Sequence, residues 1–135
     1  MPETATNVQD AMMALEVYQR QLDMVSRQIE VLQGALDEIV RARRSLEALS
    51  DEKSNDVLVP VGSSTFLRAS LKDRDTVITG IGAGYATEKT REDTIKRLVE
   101  REAQVNQDLE RMMQGAVQLQ QEAAELQERI ETAQG

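Results

Sequence analysis

The chain has 135 residues, a net charge of −8, and no histidine, cysteine or tryptophan. Those absences exclude imidazole and thiolate catalysis, the usual zinc sites and disulfides; a reducing compartment fits the last. The negative surface repels phosphate backbones and anionic lipid, and no stretch nears the roughly 18 consecutive apolar residues of a membrane span, so neither a nucleic-acid nor a membrane partner is expected.

The opening MPETATNVQD is polar, and no signal peptide is expected in it. A first helix is expected from Thr6 or Asn7, with Thr6 and Gln9 at capping-box spacing, to about Leu49. Its apolar residues fall at 8, 11, 15, 18, 22, 25, 29, 32, 36, 39 and 46, an alternating three-four spacing that marks a helix packed along a seam against a partner. Ser50, Asp51, Ser54, Asn55 and Asp56 then form a polar break.

The middle of the chain changes period. Val57-Leu58-Val59-Pro60-Val61, the run 65–71, the run 76–81 and a weaker run 85–89 read as four short strands. Gly62-Ser63-Ser64, Lys72-Asp73-Arg74-Asp75 and Gly82-Ala83-Gly84 supply the turns. Pro60 cannot donate to a ladder, which puts its strand at an edge there. Two hairpins this small hold no core of their own and leave open edges. Obligate oligomerisation through this segment follows, with Val57, Leu58, Val59, Val61, Phe66, Leu67, Leu71, Val77, Ile78 and Ile81 as the contact residues.

The second helix has a clear start. Thr90 offers a capping hydroxyl, and Glu92 and Asp93 place acids in the first turn, where the helix dipole favours them. Its apolar residues fall at 95, 98, 105, 109, 112, 116, 119, 123, 126, 130 and 133, the same three-four alternation. Each helix should be roughly 65 Å long. Gly34 and Gly115 lie inside the helices, off the seam, as local weak points.

If the chain folds back on itself, seam residues pair with a constant index sum, as in Leu46/Ile95, Leu32/Leu109 and Val8/Ala133. A rod with a β knob at one end is the expected shape. Arg43 and Glu102 interrupt the two seams in adjacent layers. They either pair across the helices and pin the register or mark where the seam ends. Alanine fills one side of the layers Val25/Ala116, Tyr18/Ala123, Ala11/Ile130 and Val8/Ala133, and none of the inner layers. The outer half should be more weakly zipped, since alanine burial contributes much less than leucine burial. Fraying there would bare Val8, Leu15, Leu126 and Ile130. Off the seam, Met12, Met13 and Met113 add flexible apolar surface of the kind that accepts many partners. The row Val17, Met24, Val31 could meet either a neighbouring subunit or a client protein.

Gly80-Ile81-Gly82-Ala83-Gly84 invites a phosphate-loop reading but fails it. Tyr85 stands where the dinucleotide motif needs glycine, and Lys89-Thr90 lacks the preceding glycine of a nucleotide P-loop. Turn glycines are the simpler reading. The carboxylates sit mainly on helix faces as solvated surface, and no nucleophile, metal site or cofactor is expected.

Two segments resemble a known family. Val57-Leu58-Val59-Pro60-Val61-Gly62-Ser63-Ser64-Thr65-Phe66 and Ile81-Gly82-Ala83-Gly84-Tyr85-Ala86-Thr87-Glu88-Lys89-Thr90 are similar to the alpha class of archaeal prefoldin subunits. The flanking heptads extend the likeness over nearly the whole chain, and two hairpins match the alpha class where the beta class has one. The resemblance implies a mainly α fold with a small β part: a long antiparallel two-helix coiled coil whose hairpins assemble into an oligomeric β-barrel platform. It implies one domain over 1–135, divided into helix 1–49, oligomerisation segment 50–90 and helix 91–135. It also implies two alpha with four beta subunits, six coiled coils hanging from the platform, and a cytoplasmic location. The coil tips would hold non-native polypeptides and deliver them, without ATP, to a group II chaperonin. Tip location makes Val8, Ala11, Met12, Met13, Leu15, Leu126, Ile130 and Ala133 the expected client-binding residues. The alternatives are a coiled-coil scaffold or tether that binds no client, and a nucleotide-binding enzyme built on the glycine loop.

Overall fold

A computed structural model describes residues 8–51 and 53–134. Helix α1 spans Val8–Asp51 and helix α2 spans Arg91–Gln134, each 44 residues. Between them run β1 (Asp56–Gly62), β2 (Thr65–Ser70), β3 (Thr76–Gly82) and β4 (Tyr85–Thr90). The expected starting residues Thr6 and Asn7 lie outside the described residues. The other elements fall within two residues of their expected ends. Thr90 caps α2 as its sequence suggested: its Oγ1 accepts from the Asp93 amide at 3.1 Å.

Helix α1 runs two residues past the expected stop at Leu49, into the polar break. The last turn of α1 contains no basic residue of its own. Arg91 supplies one from α2, donating to the Leu46 carbonyl at 3.3 Å and to Ser50 Oγ. A cation near a helix C-terminus offsets the dipole there.

The chain forms two compact units: residues 8–36 with 104–134, and residues 37–103. In the first unit, every seam position of α1 from Val8 to Leu36 and of α2 from Val105 to Ile130 is half-buried or buried; Ala133 alone is exposed. Leu109 and Ile130 are its most enclosed side chains, each 6% exposed. Burial of each contributes roughly 1.5–3 kcal/mol. Tyr18 stands beside Glu122, one position from its expected partner Ala123. The Glu122 carboxylate, by its charge and by accepting a hydrogen bond, raises the Tyr18 phenol above its ordinary pKa.

In the second unit, Ile39, Leu46, Ile95 and Leu98 occupy seam positions, and Ile39 is buried. Arg43 resolves the choice left open by the sequence in favour of pairing. Its Nη2 donates to Glu102 Oε1 at 3.1 Å, and its Nη1 donates to both carboxylate oxygens of Glu47, at 3.2 and 3.1 Å. Both carboxylates stabilise the charged guanidinium and raise the Arg43 pKa, the Glu47 hydrogen bond most.

The strands form two separate antiparallel sheets, β1–β2 and β3–β4. Each hairpin closes with a two-residue loop whose central residues take positive φ: Ser63 (47°) and Ser64 (57°), then Ala83 (53°) and Gly84 (81°). Positive φ at both positions gives the turn the hand of the strand twist. Pro60 lies opposite Phe66, in a strand with one open side. Between the hairpins, Asp73 ties the connecting turn. Its carboxylate accepts from the Asp75 amide at 2.9 Å and from Thr76 Oγ1 at 2.7 Å. The Thr76 bond first, then the Asp75 amide, lowers the Asp73 pKa below its ordinary value.

Candidate functional site: apolar surface on the hairpins and at the helix termini

The hairpin segment leaves most of its large apolar side chains in solvent. Leu58, Val59, Val61, Phe66, Leu67, Ile78 and Ile81 are exposed, while Val57, Leu71 and Val77 are half-buried. Alternation and cross-strand partnering divide them between faces. Val57, Val59, Leu67 and Ala69 share one face of the first hairpin; Leu58, Pro60, Phe66 and Arg68 share the other. Two-stranded ribbons with apolar residues on both faces are not stable in water by themselves. Tyr85, also exposed, belongs to this surface, though the polar run around it gives its strand only a weak sequence signal.

The second group lies near the N-terminus of α1 and the C-terminus of α2. Met12 and Met13 project into solvent, Met13 at 63% exposed. Val8, Ala11, Leu15 and Leu126 are half-buried on the seam, Ala133 is exposed and Ile130 is buried. Met12 and Met13 are therefore available as the helices stand, whereas Ile130 becomes available only if the helices part. Val17, Met24 and Val31 are all exposed, on the same helix.

The glycine loop builds no phosphate cradle. Gly82, Ala83 and Gly84 form the β3–β4 turn and lead into a strand, so no helix N-terminus faces them. Among the described residues no group of three or more His, Cys, Asp or Glu could hold a metal ion. No helix among them is long and apolar enough to cross a membrane.

Arg91 is the residue the sequence did not single out. Besides the α1 contacts, its Nε donates to the Arg74 carbonyl at 2.9 Å, and its Nη2 lies 4.0 Å from an Asp75 oxygen. One side chain thus ties the end of α1, the turn before β3 and the start of α2. A lone arginine after a threonine cap carries no sequence signal for such a role.

Comparison with known proteins converges on one family. The prefoldin subunit model matches residues 18–135. The prefoldin subunit alpha of Pyrococcus horikoshii is 31% identical over 117 residues, 85% of this chain and 74% of that protein. That of Methanosarcina barkeri is 31% identical over 122 residues, 82% and 85% respectively. Among solved structures, the filamentous PFD of Methanocaldococcus jannaschii superposes with a TM-score of 0.55 at 22% identity, covering 89% of this chain and 94% of that one. The helix–two hairpins–helix order, the L-V-P-V-G and G-x-G-x-x-x-E-K-T segments and these matches together place the chain in the prefoldin family of non-enzymatic chaperone subunits.

Proposed function

We propose that this chain is an alpha-type subunit of an ATP-independent cytoplasmic chaperone that captures unfolded polypeptides and delivers them to a group II chaperonin. The hairpins of two such chains and four beta-type partners join in a β-barrel platform, with 1–135 acting as one functional domain. Val57, Leu58, Val59, Val61, Phe66, Leu67, Leu71, Val77, Ile78 and Ile81 make those contacts. The observation that carries the reading is the exposure of this apolar set, joined to a second apolar group near the helix termini. Val8, Ala11, Met12, Met13, Leu15, Leu126, Ile130 and Ala133 there engage client chains. Several weak apolar sites on one assembly hold a client by avidity, and apolar association needs no cofactor.

Removal of residues 1–14 and 124–135 is the test. Native mass spectrometry should find the assembly intact, and light scattering should find suppression of client aggregation abolished. Full protection by the truncated complex overturns client binding at these ends. The filamentous form of the M. jannaschii protein favours one second reading, a scaffold that polymerises and binds no client. A scaffold ignores denatured protein in the same light-scattering assay and binds one folded partner instead.

A further inference from the structure

Every sulfur in this chain is a thioether. The six methionines are Met1, Met12, Met13, Met24, Met112 and Met113, and there is no cysteine. The five among the described residues all belong to the unit formed by 8–36 with 104–134. Residues 37–103, which carry the hairpins, contain none. The exposed apolar set on the strands is valine, leucine, isoleucine and phenylalanine, with no sulfur to oxidise. A two-electron oxidant therefore meets its targets on the helices that hold the proposed client-binding residues, and none on the segment proposed for assembly.

Exposure sorts these targets. Met12, Met13, Met24 and Met113 are 50%, 63%, 60% and 44% exposed, whereas Met112 is half-buried at a seam position. A thioether in solvent is open to attack, and one turned into a packed seam is shielded. Oxidation to the sulfoxide turns a flexible apolar side chain into a polar one. On a side chain that stands in solvent, the change costs the fold little. At Met112 it would set a polar oxygen into the seam, where a group without a hydrogen-bond partner is costly.

We propose that Met12 and Met13 form an oxidation-sensitive switch on client capture. Hydrogen peroxide, or another two-electron oxidant, converts both thioethers to sulfoxides, and the complex loses its hold on clients while its assembly stands. In each step the Sδ lone pair attacks a peroxide oxygen, the O–O bond breaks, an S–O bond forms and water leaves. Sulfur gives up two electrons and peroxide takes them. Met24 and Met113 oxidise as well, but neither belongs to the proposed client-binding set. The inference rests on the client-binding role proposed above for Met12 and Met13.

The test treats the full chain with dilute hydrogen peroxide, removes the peroxide, and only then adds partner subunits and a denatured client. Peptide mass spectrometry should find one added oxygen on each of Met12, Met13, Met24 and Met113 before Met112. Circular dichroism and native mass spectrometry should find helix content and assembly unchanged. In light scattering, the amount of complex needed for half-suppression should rise about tenfold or more, since burying even one methionine contributes about that factor. Methionine sulfoxide reductases, one for each epimer, should restore the untreated level. Met12→Leu with Met13→Leu, compared with itself before and after peroxide, should show no change. Met24→Leu with Met113→Leu should lose suppression as the parent does. A parent oxidised at 12 and 13 that still suppresses fully overturns the switch and leaves client capture standing. So does a Met12→Leu/Met13→Leu variant that loses as much as the parent, an assembly that comes apart on oxidation, or a loss the reductases fail to reverse. An untreated parent that fails to suppress aggregation overturns client capture itself, and the switch with it.

Discussion

Arg43 and Glu102 occupy seam positions where heptad packing calls for apolar side chains, yet they form a closed network with Glu47. Removing one member leaves the others facing the seam without their partner; replacing the interhelical pair with apolar residues does not. Arg43→Ala should lower the melting temperature, and Arg43→Leu with Glu102→Leu should melt above that single variant. Circular dichroism melts check both, and a single variant as stable as the parent contradicts the network's role. Asp73 adds a pH dependence. Its folded-state pKa lies below the ordinary 3.8, so its stabilisation is complete above that value and is lost as pH falls through the depressed one. Asp73→Asn should remove this part of the acid loss in melts taken from neutral pH down through the carboxylate range. The Arg43–Glu102 contact was legible as one of two options because both residues broke a period. The role of Asp73 was not, since any acid in a Lys-Asp-Arg-Asp turn reads as solvated.

Elements were the most legible level. Three-four spacing placed both helices, and Thr90 fixed the start of α2, because periodicity and capping are local. The end of α1 was not legible, because the cation bonded near it is Arg91, 40 positions beyond Asp51 in sequence. The hairpin repeat could have been found: Val57-Leu58 with Val61-Gly62 parallels Val77-Ile78 with Ile81-Gly82. Its faces could not be assigned until register and bulge were known. Two substitutions probe the helices themselves. Gly34 meets nothing where a Cβ would stand, so Gly34→Ala should stabilise by about 0.5–1 kcal/mol, as glycine in a helix interior costs that much. Thr90→Ala deletes the cap on the Asp93 amide and should destabilise by about 1 kcal/mol. Denaturant midpoints at constant slope measure both.

At the scale of the molecule, the chain exposes apolar surface in two chemically different forms. The hairpins present β-branched, leucine and phenylalanine side chains on ordered strands, suited to a fixed partner of defined shape. The start of α1 presents Met12 and Met13, and methionine's flexible thioether fits many partners. That division of labour is the central claim. A photo-activatable cross-linker placed at Met13 tests it most directly, with the same probe at exposed Glu110 as the control. When the assembled complex is mixed with a chemically denatured client, the probe at 13 should capture the client and the probe at 110 should not. Equal capture at both positions, or capture at neither while aggregation is still suppressed, would contradict it.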